Sequence, residues 1–181
     1  KSGTSAGSVF FQTLSSGASL ASLKAAVTAL WQASGANVLA LSSVRLEVAD
    51  LGGALLAQTL VGDETVVTLD IDAAGLGWFI DATPQSADEF TSLAGALVAR
   101  PGQALGMDLV TVLGHEFGHA LGFSHADVAA SPRSVMLPFL VAGQRRMPAT
   151  ADVVAPAGDV ADTGLQALTG TGVVNGTFNI G

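Results

Sequence analysis

The pattern of apolar and polar positions predicts a long helix near the start of the chain. From Ser19 onward, apolar residues recur at spacings of three and four, which places them on one face of an α-helix. These residues are Leu20, Leu23, Ala26, Val27, Leu30 and Trp31. The run Gly35-Ala36-Asn37 ends the pattern, so we expect the helix to stop there. Before the helix, Val9-Phe10-Phe11 is a candidate for a short edge strand.

Strands are expected next, because short apolar runs replace the helical spacing. Residues 44–48 alternate apolar and charged side chains, as in a strand with one exposed face. Residues 55–60 and 65–71 are further strand candidates on either side of Gly62-Asp63, a turn signal. A second helix is predicted within 88–99.

One apolar helix dominates the second half of the chain. It begins at Asp108, a residue type that caps helix N-termini, and ends at Gly122. Apolar residues occupy its whole circumference, so we expect it to be buried. Gly114, Gly118 and Gly122 recur at intervals of four, which indicates a neighbouring element in close approach. Strands, a buried helix and a mostly irregular remainder imply a mixed α/β (α+β) architecture.

Composition excludes several classes of function. The chain has 181 residues, enough for one domain with a sizeable core. Its net charge of −8 argues against nucleic acid as a partner, and the basic pair Arg145-Arg146 is expected to be a solvated turn. No uninterrupted apolar run reaches about 18 residues, so no membrane span is expected. Cysteine is absent, which excludes disulfides and thiolate ligands.

All three histidines lie within the run 115–125, which has the pattern H-E-x-x-H-x-x-G-x-x-H. His115 and His119 are four residues apart on a helix, so both imidazoles project from one face and can bind one cation. Gly122 lets the chain turn back and deliver His125 as a third nitrogen. Three protein ligands leave the fourth zinc position open, as in catalytic sites. Glu116 is offset from the ligands and can act there as a general base.

A structural interpretation competes with this one. H-E-x-x-H alone occurs by chance on amphipathic helices. Gly122 and His125 lie at the further spacings that a three-histidine site requires, which favours a metal site. The chain also has no histidine outside this run. Glu116 as a surface carboxylate is the weaker alternative beside three ligands.

The motif resembles that of the metzincin clan of zinc endopeptidases, and most closely the matrixins. Ser134-Val135-Met136-Leu137-Pro138 resembles the Met-turn, which the family places beneath the zinc. Ala29-Leu30-Trp31 resembles the end of the first matrixin helix, and 164–170 resembles the C-terminal helix. The run 68–79 is similar to matrixin-like modules of large bacterial surface and secreted proteins.

This resemblance implies a metzincin-like twisted mixed sheet with a long first helix and a buried active-site helix. A small irregular C-terminal subdomain would hold the Met-turn and a C-terminal helix. The expected domain covers 19–170, with an upper part over about 19–122 and a lower part over about 123–170. Residues 1–18 are then an N-terminal segment or first strand, and 171–181 a tail.

The resemblance also implies a zinc-dependent endopeptidase. Zn²⁺ would be held by His115, His119 and His125, with Glu116 as general base and acid. Met136 would lie below the zinc, although plain core packing is an alternative for a methionine. An apolar pocket for the residue after the scissile bond is implied between two walls. Its residues are Val112 and Leu113 on one side and Leu137, Pro138 and Phe139 on the other.

Substrate backbone would add to an exposed strand edge, for which we expect the 73–80 region. Trp78 in that region fits the core equally well. Calcium is a further candidate cofactor, because five carboxylates cluster in the sequence. These are Asp70, Asp72, Asp81, Asp88 and Glu89, and a solvated face is the favoured interpretation for them. The chain departs from the family at Ala126, where matrixins tend to have serine, and in having no tyrosine to serve as a zinc ligand.

The leading hypothesis is therefore a secreted or cell-surface bacterial zinc endopeptidase that acts on proteins or peptides. We expect a monomeric domain, alone or within a larger chain. One alternative is a non-catalytic zinc-bearing module of a larger bacterial surface protein. Another is a domain that processes its own parent chain, with 1–18 or 171–181 as a remnant or an occluding tail.

Overall fold

Three α-helices and ten strands form within the residues that the computed structural model describes, which are 18–94, 96–103, 106–154 and 165–168. The helices are α1 (Ala18–Ala33), α2 (Leu109–Ala120) and α3 (Thr150–Val154). The strands are β1 (Arg45–Ala49), β2 (Leu55–Leu60), β3 (Val66–Asp70), β4 (Trp78–Phe79), β5 (Phe90–Leu93), β6 (Ala96–Ala99), β7 (Met107–Asp108), β8 (Phe139–Val141), β9 (Gln144–Arg145) and β10 (Leu165–Leu168). The expected edge strand at residues 9–11 lies outside the described residues.

The main sheet has five strands in the order β1-β3-β2-β10-β8. β1 and β3 are parallel, whereas β2 and β3 form an antiparallel pair. β10 is antiparallel to β2 on one side and parallel to β8 on the other. The three strands expected within 44–71 are present, and the mixed α+β fold class is confirmed.

α2 packs between the sheet and α1, and it is the most buried helix of the described residues. Every residue from Leu109 to Gly118 is buried. The indole Nε1 of Trp31 on α1 donates a hydrogen bond to the Gly114 carbonyl at 2.9 Å. A Cβ atom built on Gly118 would lie 2.2 Å from the Met136 Sδ. The close approach of a neighbouring element, which the glycine spacing predicts, is therefore confirmed at Gly118.

The helix expected within 88–99 is wrong. This segment contains β5 and β6, which form an antiparallel hairpin, and β6 also pairs with β9. Ala94, between the two strands, has a φ of 50°, a left-handed conformation that interrupts a helix. The backbone bonds of the three-stranded sheet override the helix propensity of the alanines and leucines.

The C-terminal helix expected over 164–170 is also wrong for its described part. Residues 165–168 form β10, which has a hydrogen-bonded neighbour on both sides. Two ladders of backbone hydrogen bonds outweigh the modest helix preference of Leu, Gln and Ala.

In the described residues, no helix is long and apolar enough to cross a membrane.

Candidate metal centre

The two ends of α2 are fixed by capping interactions. At the N-terminus, the Asp108 carboxylate accepts a hydrogen bond from the Thr111 backbone N–H at 3.0 Å. At the C-terminus, Gly122 has a φ of +90°. The Phe123 N–H donates to the Gly118 carbonyl and the Gly122 N–H to the His119 carbonyl, each at 2.9 Å. These two hydrogen bonds around a glycine in the left-handed conformation end the helix and reverse the chain toward His125.

The three histidines of the motif come together at this end of α2. The ring centroids of His115 and His119 are 4.6 Å apart, and that of His125 lies 5.2 Å from the first and 4.8 Å from the second. One ligand atom from each ring lies within 4.8 Å of the other two. Among the described residues, no other group of three or more His, Asp or Glu side chains is close enough together to hold a metal ion.

Backbone carbonyls orient two of the rings. His115 Nδ1 lies 2.9 Å from the Val135 carbonyl oxygen, and His119 Nδ1 lies 2.9 Å from that of Phe123. Since a carbonyl can only accept, each Nδ1 carries the proton and each Nε2 is left with a lone pair. Burial, reinforced by the neighbouring His119, holds the pKa of His115 well below its usual value. His115 is therefore neutral, as a metal ligand must be.

This donor set fits a zinc ion. The Nε2 atoms of His115 and His119 are 3.0 Å apart. Two zinc–nitrogen bonds of about 2.0 Å in a tetrahedral site require a separation of roughly 3.3 Å, so this pair needs only a small adjustment. The third ligand atom lies within 4.8 Å of the other two, so His125 would move closer on binding the same ion. Neutral imidazoles with carbonyl-bound Nδ1–H groups are the usual arrangement of histidines that bind zinc.

Glu116 lies where α2 packs against β2. It has no exposed surface. The Thr59 hydroxyl donates a hydrogen bond to Glu116 Oε2 at 2.6 Å. The interpretation of Glu116 as a surface carboxylate is therefore wrong, because the helix buries it beside the histidines.

Met136 is placed by hydrogen bonds from both sides. Its backbone N–H donates to Ser134 Oγ at 3.0 Å, and its carbonyl accepts from the Ala126 N–H at 2.9 Å. Ser134 in turn donates to the Asp152 carboxylate on α3. Because Ala126 directly follows His125, this bond ties the segment of Met136 to the third histidine.

The residues expected to line the substrate pocket lie on α2, which carries two of the histidines, and on the segment that follows Met136. Val112, Leu113 and Leu137 are buried, whereas Pro138 and Phe139 are partly exposed. Trp78 is a core residue, with an exposed fraction of 2% and its Nε1 bonded to the Asp70 carbonyl.

The expectation of a solvated turn at Arg145-Arg146 is wrong. Arg145 is 1% exposed and forms a bidentate ion pair with Asp108, at 2.7 and 3.0 Å, and a second pair with Asp81 at 2.6 Å. Its guanidinium lies 4.4 Å from the ring centroid of Phe90. Burial opposes the charge of Arg145, but the hydrogen bonds with Asp108 and Asp81 prevail and raise its pKa. Arg146 is buried as well, which lowers its pKa to about 10.

The solvated face expected for the acidic residues is wrong at two positions, since Asp70 and Asp81 are buried. Asp81 is paired with Arg145. Asp70 accepts backbone N–H bonds from Leu51 at 2.9 Å and Ala74 at 2.7 Å. Its pKa is lowered because these hydrogen bonds outweigh the opposing effect of burial. Both carboxylates stabilise loops.

Two residues around the site, Thr59 and Asp152, escaped the sequence analysis, and a third, Arg145, was wrongly expected in a solvated turn. Thr59 sits in an ordinary alternating strand, so nothing in its neighbourhood marks it. Asp152 is a single carboxylate in a short helix. Arg145 lies between Gln144 and Arg146, so its polar neighbours in the sequence give no signal of a buried ion pair.

A comparison with protein families gives one match. The family model described as matrixin matches residues 43–155, which is more than half of the 181 residues. The matched region contains the three histidines, Glu116 and Met136. No curated protein and no solved structure matches the chain significantly.

Proposed function

Because this chain belongs to the matrixin family of metalloproteases, we propose that it is a zinc-dependent endopeptidase that hydrolyses peptide bonds in protein substrates. The observation that carries the proposal is the convergence of the three histidines at the end of α2, with a buried glutamate adjacent to the first of them. Matrixins typically act outside the cell, and we propose the same for this protein.

His115, His119 and His125 are the proposed zinc ligands, through the ring nitrogens that carry no proton. Bound zinc would supply a Lewis acid, which polarises the scissile carbonyl and makes water acidic enough to deprotonate near neutral pH. Met136 supports the site by closing the turn that holds the His125 segment. The carbonyls of Val135 and Phe123 keep two rings in the correct tautomer.

Glu116 is the proposed general base and acid. Its carboxylate would take a proton from the attacking water and pass it to the leaving amine. Thr59 donates a hydrogen bond to Oε2, which fixes the orientation of the carboxylate. Val112, Leu113, Leu137, Pro138 and Phe139 are the proposed pocket residues. An aliphatic side chain after the scissile bond is the expected preference, since all five are apolar.

Glu116→Gln tests the proposal directly. The amide keeps the size of the side chain but cannot accept the proton, so we expect kcat/KM for a protein substrate to fall by about 10²–10⁴-fold. Zinc content, measured by atomic absorption, should stay at one ion per chain. Glu64→Gln is the matched control, because the side chain of Glu64 is 60% exposed.

Chelation provides the second arm of this experiment. Removal of zinc should abolish activity, and adding zinc back should restore it. Full activity in Glu116→Gln would overturn the proposed mechanism. Stoichiometric zinc without cleavage of any substrate in a proteome-derived peptide library would instead favour a non-catalytic zinc module.

A further inference from the structure

β10 joins β8 to the rest of the main sheet. It lies between β2 and β8 and is bonded to both. The Gln166 N–H donates to the Pro138 carbonyl at 3.1 Å, and the Ala167 N–H donates to the Ala54 carbonyl at 2.8 Å. We use the term β2–β8 slot for the space between these two strands that β10 fills.

The two strands that form the slot lie within the residues that the family model matches, whereas β10 lies beyond them. The matrixin match covers 43–155, which includes both β2 and β8. β10 begins at Leu165, beyond the end of that match. Without β10, β2 and β8 would face each other across about 10 Å, two strand spacings, each with unpaired backbone groups. Such a gap accepts an extended peptide by strand addition.

One end of the slot is directed toward the candidate metal centre. On one side, β2 carries Thr59, whose hydroxyl is bonded to Glu116. On the other side, β8 begins at Phe139, shortly after Met136. Leu165 pairs with Ala57, and the two strands are antiparallel, so the amino end of β10 is directed toward Thr59. A peptide in the slot therefore has one end directed toward the general base.

The side chains of β10 match the chemistry expected of a peptide substrate. Leu165 is 1% exposed and Ala167 is 7% exposed, whereas Gln166 points to solvent. Leu165 belongs to the same buried cluster as Val112 and Leu113, which are proposed to line the substrate pocket. Leu165 thus has the aliphatic side chain expected of the substrate residue, and it is buried in the hydrophobic core.

From these observations we propose that Leu165–Leu168 is an internal inhibitor, which fills the peptide-binding slot of the metal site as a substrate-like strand. The proposal rests on the proposed endopeptidase function for its consequence, but the occupancy of the slot is testable without catalysis. A covalently attached segment competes at an effective concentration on the order of millimolar, so it excludes peptides that bind weakly.

Gln166→Pro tests the proposal in the full chain. Proline has no N–H to donate to Pro138 and does not fit a strand paired on both sides, so it should release β10. If the segment fills the slot in about 90–99% of molecules, its release should raise kcat/KM for an added peptide by about 10–100-fold. Gln166→Ala is the matched control: it keeps the N–H, changes only an exposed side chain and should have the activity of the original chain.

The second measurement is independent of catalysis. In a Glu116→Gln background with zinc present, a fluorescent peptide with the sequence of residues 163–170 should bind the Gln166→Pro variant at least tenfold more tightly than the Gln166→Ala variant. The same peptide with aspartate in place of Leu165 should not bind. If the peptide binds in this way but no variant that retains Glu116 hydrolyses any peptide, the proposed function is rejected and this inference still stands.

Two results would overturn the inference. If Gln166→Pro loses its cooperative thermal transition or its zinc, β10 is an integral strand of the domain and not a displaceable occupant. If the variant folds and binds zinc, but neither gains activity nor binds the peptide, the slot is not a peptide site.

Discussion

Thr59 and Glu116 meet where β2 packs against α2, and their contact decides how the carboxylate is oriented. A buried carboxylate needs hydrogen bonds, because its desolvation is otherwise costly. Glu116 is fully buried, and the hydroxyl at 2.6 Å supplies one of these bonds. If Glu116 is the general base that we propose, Thr59 is expected to be a positioning residue, which acts on substrate only through Glu116.

Thr59→Val is expected to lower kcat for an added peptide by about 10–100-fold, the loss usual when a group that orients an active-site residue is removed. KM should change little, since the hydroxyl contacts the proposed base and not the substrate. Thr59→Ser keeps the donor and should recover most of kcat, which a purely packing role of the threonine methyl group would not allow. An unchanged kcat in Thr59→Val, or a change confined to KM, would contradict the positioning role.

At this scale, residue spacing predicts the histidine cluster correctly but not its surroundings. His115, His119 and His125 follow from one helix and one glycine turn, so local geometry is enough to bring them together. The Thr59–Glu116 contact joins residues 57 positions apart in the sequence. Such a contact depends on how the sheet packs on the helix, which no local pattern specifies.

At the scale of elements, α2 depends on close packing along the face that carries its glycines. Trp31 and Met136 both approach Gly118, with the Trp31 Cζ2 only 3.0 Å from the position of a Cβ atom. Helical spacing alone predicts this approach, because glycine in a helix interior is unfavourable by about 1 kcal/mol relative to alanine. The errors at 88–99 and 165–168 have the opposite cause. Both segments are short, and partners from distant parts of the sequence make them strands.

Gly118→Ala is expected to destabilise the protein by about 1–3 kcal/mol, since overpacking in a rigid core outweighs the gain in helix propensity. Gly114→Ala is the matched control. There the nearest atom, Val135 Cγ2, lies 3.3 Å from the added Cβ, so a smaller loss is expected. Urea unfolding measures both. Gly118→Ala should lower the free energy of unfolding less in a Met136→Ala background than in the original chain. Equal losses in the two backgrounds would contradict a clash between these two side chains.

At the scale of the whole molecule, Arg145 joins three separate parts of the chain. Its guanidinium binds Asp81, in the segment between β4 and β5, and Asp108, the N-cap of α2. Arg145 itself belongs to β9. The ion pairs therefore fix the three-stranded sheet to the N-terminus of the helix that carries the metal ligands at its other end. The contact explains why an arginine is buried in a chain with only seven basic residues.

Arg145→Met should lower the free energy of unfolding by about 3–5 kcal/mol, because it leaves two buried carboxylates without a counterion. Arg133→Met is the control, since Arg133 is exposed and its one described side-chain bond, to the Ala94 carbonyl, is 3.4 Å long. Its effect should stay within about 0.5 kcal/mol. Chemical denaturation of both variants measures the difference.

A third variant separates charge burial from lost packing. Arg145→Met combined with Asp81→Asn and Asp108→Asn removes the uncompensated charges, while asparagine still caps α2. We expect this triple variant to be more stable than Arg145→Met alone, although it carries two further core substitutions. If it is less stable, the arginine acts mainly through its packing on Phe90 and its bond to the Ser86 carbonyl, and not through the ion pairs.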